Sequence, residues 1–397
     1  MKKITMQPTP DRWTNLASLL MVSMMGAAVL TLLPLWVGGL SDQGNFSETQ
    51  IGWLAAADVI GIFASSASAI FWVRRVAWKQ VTLAGLAVFL IGNLLSLGTS
   101  DFIQLMSLRI LAGLGCGAAY AVALAGLGDH RRPPLAFGMM VTAQVTFGTI
   151  GFFAVPRIME LWQVNGFFHY LNGWLAVTLL LCALTFPRSQ RGSEAADAVG
   201  ILSLLGGRSL LVFATTVVYY CGVSAVWAYL ERIGVDMGLS GAEVGDLLGI
   251  GFAISGLGSL ATPLVARHLG RALSLVISIA IQVGTMSLLI GQHSGDAYLL
   301  YAVTSIVFQF FWSFTIPLLM DQFNRVDDTG RFIVLCASAF KVGEIIGPPL
   351  AASLIQPFGY AGVLSLGIGS VILALGMALV TETRAEEPAG VPAAGSL

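Results

Sequence analysis

Apolar runs of about twenty residues recur along nearly the whole chain, each long enough to cross a bilayer as a helix. No other feature narrows the fold so far. In hydrocarbon every backbone N–H and C=O must be satisfied within its own segment, so a chain built this way is restricted to a bundle of spanning helices. Composition agrees: 56% of the 397 residues are hydrophobic, 10% are charged and the mean hydropathy is +0.83. A soluble domain would carry about a quarter charged residues. Twelve spans are expected, near 13–37, 50–73, 80–98, 102–128, 135–158, 168–187, 209–231, 242–265, 272–291, 297–320, 331–354 and 360–381. The first is too long for the apolar core of a signal peptide and others follow at once, so it reads as a retained helix.

Alternating the spans from a cytoplasmic N-terminus sorts the basic residues. One side holds Lys2, Lys3, Arg12, Arg74, Arg75, Lys79, Arg131, Arg132, Arg188, Arg191, Arg208, Arg267, Arg271, Arg325, Arg331 and Arg384. The other keeps Arg157 and Arg232, and the interior keeps Arg109 and Lys341. The positive-inside rule then places both termini in the cytoplasm, as in a multi-pass protein of a bacterial inner membrane. A net charge of −1 excludes a nucleic-acid footprint. Cys116, Cys182, Cys221 and Cys336 fall inside apolar spans without ligand-like spacing, which argues for small buried hydrophobes and no metal. No cofactor is expected. Membrane-embedded acids and histidines lack the clustering an intramembrane enzyme needs, and no phosphate-binding P-loop is present, so ATP drive is excluded.

The longest connection, 188–208, divides the chain into residues 1–187 and 209–382, followed by a small, acidic tail at 383–397 that reads as disordered. Shifting the first part by 193 residues places Ser47 on Ser240, Gly52 on Gly245, Leu54 on Leu247 and Arg74 on Arg267. Two like halves of six helices are the pattern of a transporter with parallel repeats and a site between them.

In the fourth span, residues 108–120 (LRILAGLGCGAAY) put Arg109 inside the apolar segment, followed by Gly113, Gly115 and Gly117. This stretch resembles the arginine-glycine motif of the major facilitator superfamily, and the likeness extends over essentially the full chain. The loop Arg74-Arg75-Val76-Ala77-Trp78-Lys79 resembles the family's basic loop motif in degraded form. Its second copy, Arg267-His268-Leu269-Gly270-Arg271, keeps the glycine and a basic residue better. Arg74 and Arg267 stand where the family usually has an aspartate, on which its cytoplasmic latch rests. Arg74, Arg75, Arg267 and Arg271 are therefore gating candidates. Antiporters of the family often carry Gly-Pro in the fifth span. Here residues 148–151 (GTIG) lack the proline, while Gly347-Pro348 in the eleventh span has it. The resemblance implies an all-α fold of two pseudo-symmetric six-helix bundles, a monomer, alternating access, and a cavity lined by spans 1, 4, 7 and 10.

An intramembrane charge is a functional candidate, because it costs several kcal/mol unless paired or wet. Arg109 lies about 10 Å inside its span, and Asp58 at a comparable depth in the second. They form either a structural pair or a site, with Arg109 anchoring an anion and Asp58 carrying a proton. Lys341 and Glu344 lie three apart on one helix face, so Glu344 is a second proton candidate. Asp58 would meet Lys341 if spans 2 and 11 touch. Tyr219, Tyr220 and Trp227 in span 7, Gln309 and Trp312 in span 10 and Gln144 in span 5 are candidate contacts for a partly apolar organic solute. Thr215, Thr216, Ser224, Tyr301, Thr304, Phe310 and Thr315 accompany them. Trp36 and Tyr298, near span ends, are expected in the interfacial belt. Two functions follow: proton-coupled efflux, by antiport, of an amphipathic metabolite or drug; or proton-coupled import of an organic anion such as a carboxylate. The partners expected are the solute, protons and the bilayer.

Overall fold

The computed structural model describes residues 12–187, 206–291, 296–326 and 334–386. It is all helical across these residues. The helices are α1 (Trp13–Thr31), α2 (Leu33–Gln43), α3 (Glu48–Trp72), α4 (Trp78–Ser96), α5 (Phe102–Gly128), α6 (Pro133–Trp162) and α7 (Asn165–Leu184) in the first half. The second half holds α8 (Gly207–Asp236), α9 (Gly241–Leu269), α10 (Arg271–Leu288), α11 (Ala297–Val326) and α12 (Val334–Glu386).

Two spans differ from the simple reading, both for backbone reasons. The first is split between α1 and α2 at Leu32 (φ −99°, ψ 18°). Pro34 has no N–H to return to the Leu30 carbonyl, so the ladder is interrupted there. That carbonyl accepts a backbone N–H at the end of α1 and also the Trp227 indole N–H at 3.0 Å, from the other half of the molecule. The last two expected spans run together as α12. Its apolar part, Cys336–Thr381, has 46 residues, roughly 70 Å and twice a bilayer core. Gly359 (φ 61°, ψ −159°) breaks it into two crossings. α12 continues to Glu386, four residues into the segment read as a disordered tail. The remainder of that tail and most of the 188–208 connection, with Arg188 and Arg191, lie outside the described residues, as do Lys2, Lys3 and Arg331.

The 193-residue repeat is visible in the caps. Ser47 opens α3 with a capping box to Gln50, and Ser240 opens α9 with the same box to Glu243. Each satisfies backbone donors that would otherwise be orphaned at a helix start. The repeated glycines also hold equivalent places. A Cβ on Gly52 would meet Pro348 and Ala352 of α12, and one on Gly245 would meet Phe152 and Pro156 of α6. Both are contacts between the halves, on the side of the membrane away from the chain ends. We call that side the distal face, and the side where α1 begins and α12 ends the terminal face.

Within the first half, α5 is clamped between two neighbours. Gly113 and Gly117 lie against α3, at the Asp58 carbonyl and at Ile62 and Ser65, while Gly115 lies against Gly85 of α4. Side chains at these positions would force the backbones apart. In the second half Gly347 lies in the same way against Cys221, Ser224 and Ala225 of α8. Pro348 follows it inside α12.

Candidate functional site

The two intramembrane ion pairs sit in different surroundings. Arg109 and Asp58 are each about 1% exposed. The guanidinium grips both carboxylate oxygens, Nε to Oδ2 at 2.9 Å and Nη2 to Oδ1 at 2.6 Å, a bidentate charge-assisted geometry. Its remaining nitrogen donates to Asn93 Oδ1 at 2.7 Å, and Asn93 in turn donates to Asn172 Oδ1 at 3.0 Å. The Phe168 ring covers the guanidinium at 5.1 Å. All three nitrogens of Arg109 find partners inside the first half. Sequence reading missed Asn93 and Asn172, although an asparagine in the middle of an apolar run is itself a signal that something polar is near.

Lys341 and Glu344, at 2.7 Å from each other, are 21% and 17% exposed and face a cavity of 310 Å³ between the halves. The cavity is walled by α1, α2, α6, α8, α9, α11 and α12. Trp227, Trp312 and Phe252 form its aromatic side. The Trp227 and Trp312 rings are 16° from parallel with centroids 6.2 Å apart, and Trp227 and Phe252 are 29° from parallel at 6.2 Å. Tyr220 and Gln144 complete the polar side. Ser224, Ser255 and Ser259 also line it, and each donates to a backbone carbonyl. Gln144 Nε2 donates to the Ser23 carbonyl at 3.1 Å.

Of the candidate contacts, Gln144, Tyr220, Trp227, Trp312, Lys341 and Glu344 come together here. Arg109, Asp58, Tyr219 and Gln309 do not. Tyr219 is fully buried and donates to Gln282 Oε1 at 3.0 Å, in a neutral network with Ser278 and Thr315. Gln309 is fully buried against Gly251, with Nε2 directed to the Ser305 carbonyl. Helical register turns both away from the cavity: neighbours in sequence on one helix point about 100° apart. Tyr301 likewise bonds the Leu230 carbonyl at 2.9 Å inside the second half. Trp36 is 1% exposed and packs inside the bundle rather than facing lipid, stacked on Phe167 at 5.2 Å. Tyr298 is exposed at the start of α11.

The halves are tied at the distal face. Arg157 of α6 holds both oxygens of Asp246 of α9 at 2.8 and 2.9 Å. Arg232 of α8 bridges Glu231 and Asp42 of α2, each at 2.6 Å. Sequence reading had used Arg157 and Arg232 only to orient the chain. A larger cleft of 550 Å³ lies beyond these contacts, lined in part by Asp42, Glu160 and Glu231. Arg232 already engages two of those carboxylates, and no aromatic wall faces them, so the smaller cavity is the better candidate. On the terminal face two ion pairs join spans of the same half. Arg74 holds both oxygens of Asp129 at 2.6 and 3.1 Å, and Arg271 meets Asp321 at 2.8 Å. Arg75 and Arg267 are exposed.

The family model of the Major Facilitator Superfamily matches residues 16–325 and, again, 212–396. The chain belongs to the major facilitator superfamily. Among curated proteins it is similar to an MFS-type transporter, YcaD, of Salmonella gallinarum, at 21% identity with 86% of this chain and 88% of that one covered. It is also similar to an MFS-type transporter of Gibberella moniliformis, at 22% identity with 86% and 85% covered. Among solved structures it shares the fold of the nucleoside transporter NupG (TM-score 0.76, 11% identity, 94% of this chain and 99% of that one). A D-xylose-proton symporter has the same fold (TM-score 0.68, 15% identity, 92% and 95%). Superfamily membership makes this a multi-pass membrane transport protein and not an enzyme. One expectation drawn from the family needs correction. The fourth span, α5, lines no part of the cavity, and spans 5, 8 and 11 do. The glycine face of α5 is spent on α3 and α4, and its arginine on Asp58.

Proposed function

We propose that this protein is a proton-coupled secondary transporter that moves a small amphipathic organic solute by alternating access. The observation that carries the reading is one cavity between the halves that joins an aromatic wall to a partly exposed ion pair. Trp227, Trp312 and Phe252 take the apolar body of the solute, while Lys341 and Glu344 supply charge that a proton can switch. Glu344 is the proton site. Basic residues on the terminal face, among them Arg74, Arg75, Lys79, Arg267 and Arg271, support placing that face in the cytoplasm. The conformation is then closed outside, where Arg157 and Arg232 tie the halves together, and serves the cytoplasmic side.

The aromatic lining supports efflux of amphipathic metabolites or drugs by antiport. Import of an organic anion has a different observation in its favour: Lys341 faces the cavity, so a cation is available there even though Arg109 is fully engaged elsewhere. The test is transport in proteoliposomes under an imposed pH gradient, with native protein and Glu344→Gln. The variant is expected to lose gradient-driven accumulation and to keep solute exchange at equal pH. Gradient-driven accumulation by Glu344→Gln at the native rate would refute the assignment.

A further inference from the structure

We propose that the cavity selects a planar organic monoanion and binds it cooperatively with the proton, so that coupling is symport. This rests on the reading of the cavity as the solute site, and it decides between the two directions by the sign of the charges there.

The polar inventory comes first. Among the described residues the Lys341 ammonium donates to Glu344 Oε2 alone, leaving two of its three N–H groups for another acceptor. The hydroxyls of Ser224, Ser255 and Ser259 donate to backbone carbonyls, and the Trp227 indole donates to the Leu30 carbonyl. The Trp312 indole N–H has no partner among the described residues and is buried away from the cavity surface, so it is no contact for a solute. The Lys341 donors are open to the cavity, which suits a ligand that carries an acceptor.

The sign of the coupling follows from Lys341. While Glu344 is ionised the pair is neutral, and an anion must displace a carboxylate already in place. When Glu344 takes a proton, Lys341 is left as a partly buried cation without a counterion at the cavity wall. An anion that enters restores neutrality. Proton and anion therefore promote each other's binding, and the promotion is reciprocal. A cationic solute would face Lys341 in either state, and a neutral one would be indifferent to the proton. No neighbouring charge changes this balance. Tyr120 of α5 and Tyr220 of α8 lie in the field of Glu344, and Cys116 of α5 in that of Lys341. Asp58 and Arg109, which also reach Cys116, are held by each other.

The aromatic wall adds shape. Trp227, Trp312 and Phe252 line one side of the cavity with aromatic surface, against which a flat apolar body packs more closely than a puckered one. A saturated ring of the same size gains the burial only.

The experiment is isothermal titration of the purified full chain with 2-naphthoate at about pH 5.5 and about pH 8, where its carboxylate stays ionised. Naphthalene-2-methanol and 2-naphthylmethylammonium are the uncharged and cationic probes of the same shape. Native protein is expected to bind naphthoate at least tenfold more tightly at the lower pH and to prefer it to both other probes. Glu344→Gln should bind it tightly and equally at both pH values. Lys341→Met should lose at least tenfold; if that variant does not fold, the Lys341→Met, Glu344→Gln double variant, which leaves no stranded charge, serves instead. Trp312→Ala should weaken every probe. Preference for the ammonium or alcohol probe, pH-independent binding of naphthoate, or no binding of any probe overturns the anion assignment. In the first two cases, binding that still responds to Trp312→Ala leaves the cavity standing as the solute site. Binding indifferent to both Trp312→Ala and Lys341→Met overturns the cavity reading itself.

Discussion

Arg109–Asp58 and Lys341–Glu344 are both acid–base pairs inside an apolar bundle, yet they are built for different work. The first is bidentate, almost fully buried and supported by Asn93, Asn172 and Phe168. The second is a single contact between residues one helical turn apart, partly exposed and open to a cavity. A buried bidentate pair holds helices in place, because neither partner can leave without stranding the other. A pair held by one hydrogen bond at a cavity wall can exchange its partner for a solute or a proton at little structural cost. The neutral Tyr219–Gln282–Thr315 network gives the second half a hydrogen-bonded seam of its own without any charge.

The contrast breaks first at Arg109. Arg109→Ala is expected to cost about 3–5 kcal/mol, since it leaves Asp58 as an unpaired buried charge. Arg109→Lys should recover only part of this, because an ammonium cannot reproduce the fork. Thermal melting of the detergent-purified variants checks both, and a native melting temperature for Arg109→Ala would make the pair dispensable. The charge-swapped Lys341→Glu, Glu344→Lys variant sharpens the same contrast from the other side. It should melt within about 1 kcal/mol of the native protein, as expected for a partly exposed pair, while transport falls by an order of magnitude or more. A loss of stability comparable to that of Arg109→Ala would mean that both pairs are structural. The smallest effects belong to the repeat. Ser47→Ala and Ser240→Ala should each cost about 1 kcal/mol, because each removes one N-cap acceptor at an equivalent helix start. Unequal losses would show that the two halves do not share their cap energetics.

Much of the fold was legible because lipid allows a chain few options. Length of apolar run, position of Arg and Lys, and the 193-residue echo of Ser47 and Gly52 in Ser240 and Gly245 are local or periodic signals. The Pro34 break is equally local, yet its surroundings are not: the indole that also donates to the Leu30 carbonyl comes from Trp227, nearly two hundred residues away. The candidate site was half legible. Residue type marked Trp227, Trp312, Tyr220 and Gln144, which the structure brings to one cavity beside the Lys341–Glu344 pair, but it marked Tyr219 and Gln309 with equal force, and these lie elsewhere. One position along a helix turns a side chain by about 100°, and composition carries no record of which way the helix is rotated.

By itself the sequence determined that this chain crosses a membrane twelve times in two related halves, since the backbone has no other way to be satisfied in hydrocarbon. Only the tertiary structure decided which charges face each other and which face space. Arg109 and Lys341 are both lone cations in apolar spans. What separates them is that Asp58 and Asn93 converge on one from two helices, with Asn172 holding Asn93 from a third, while the other shares a cavity with Trp227 and Trp312.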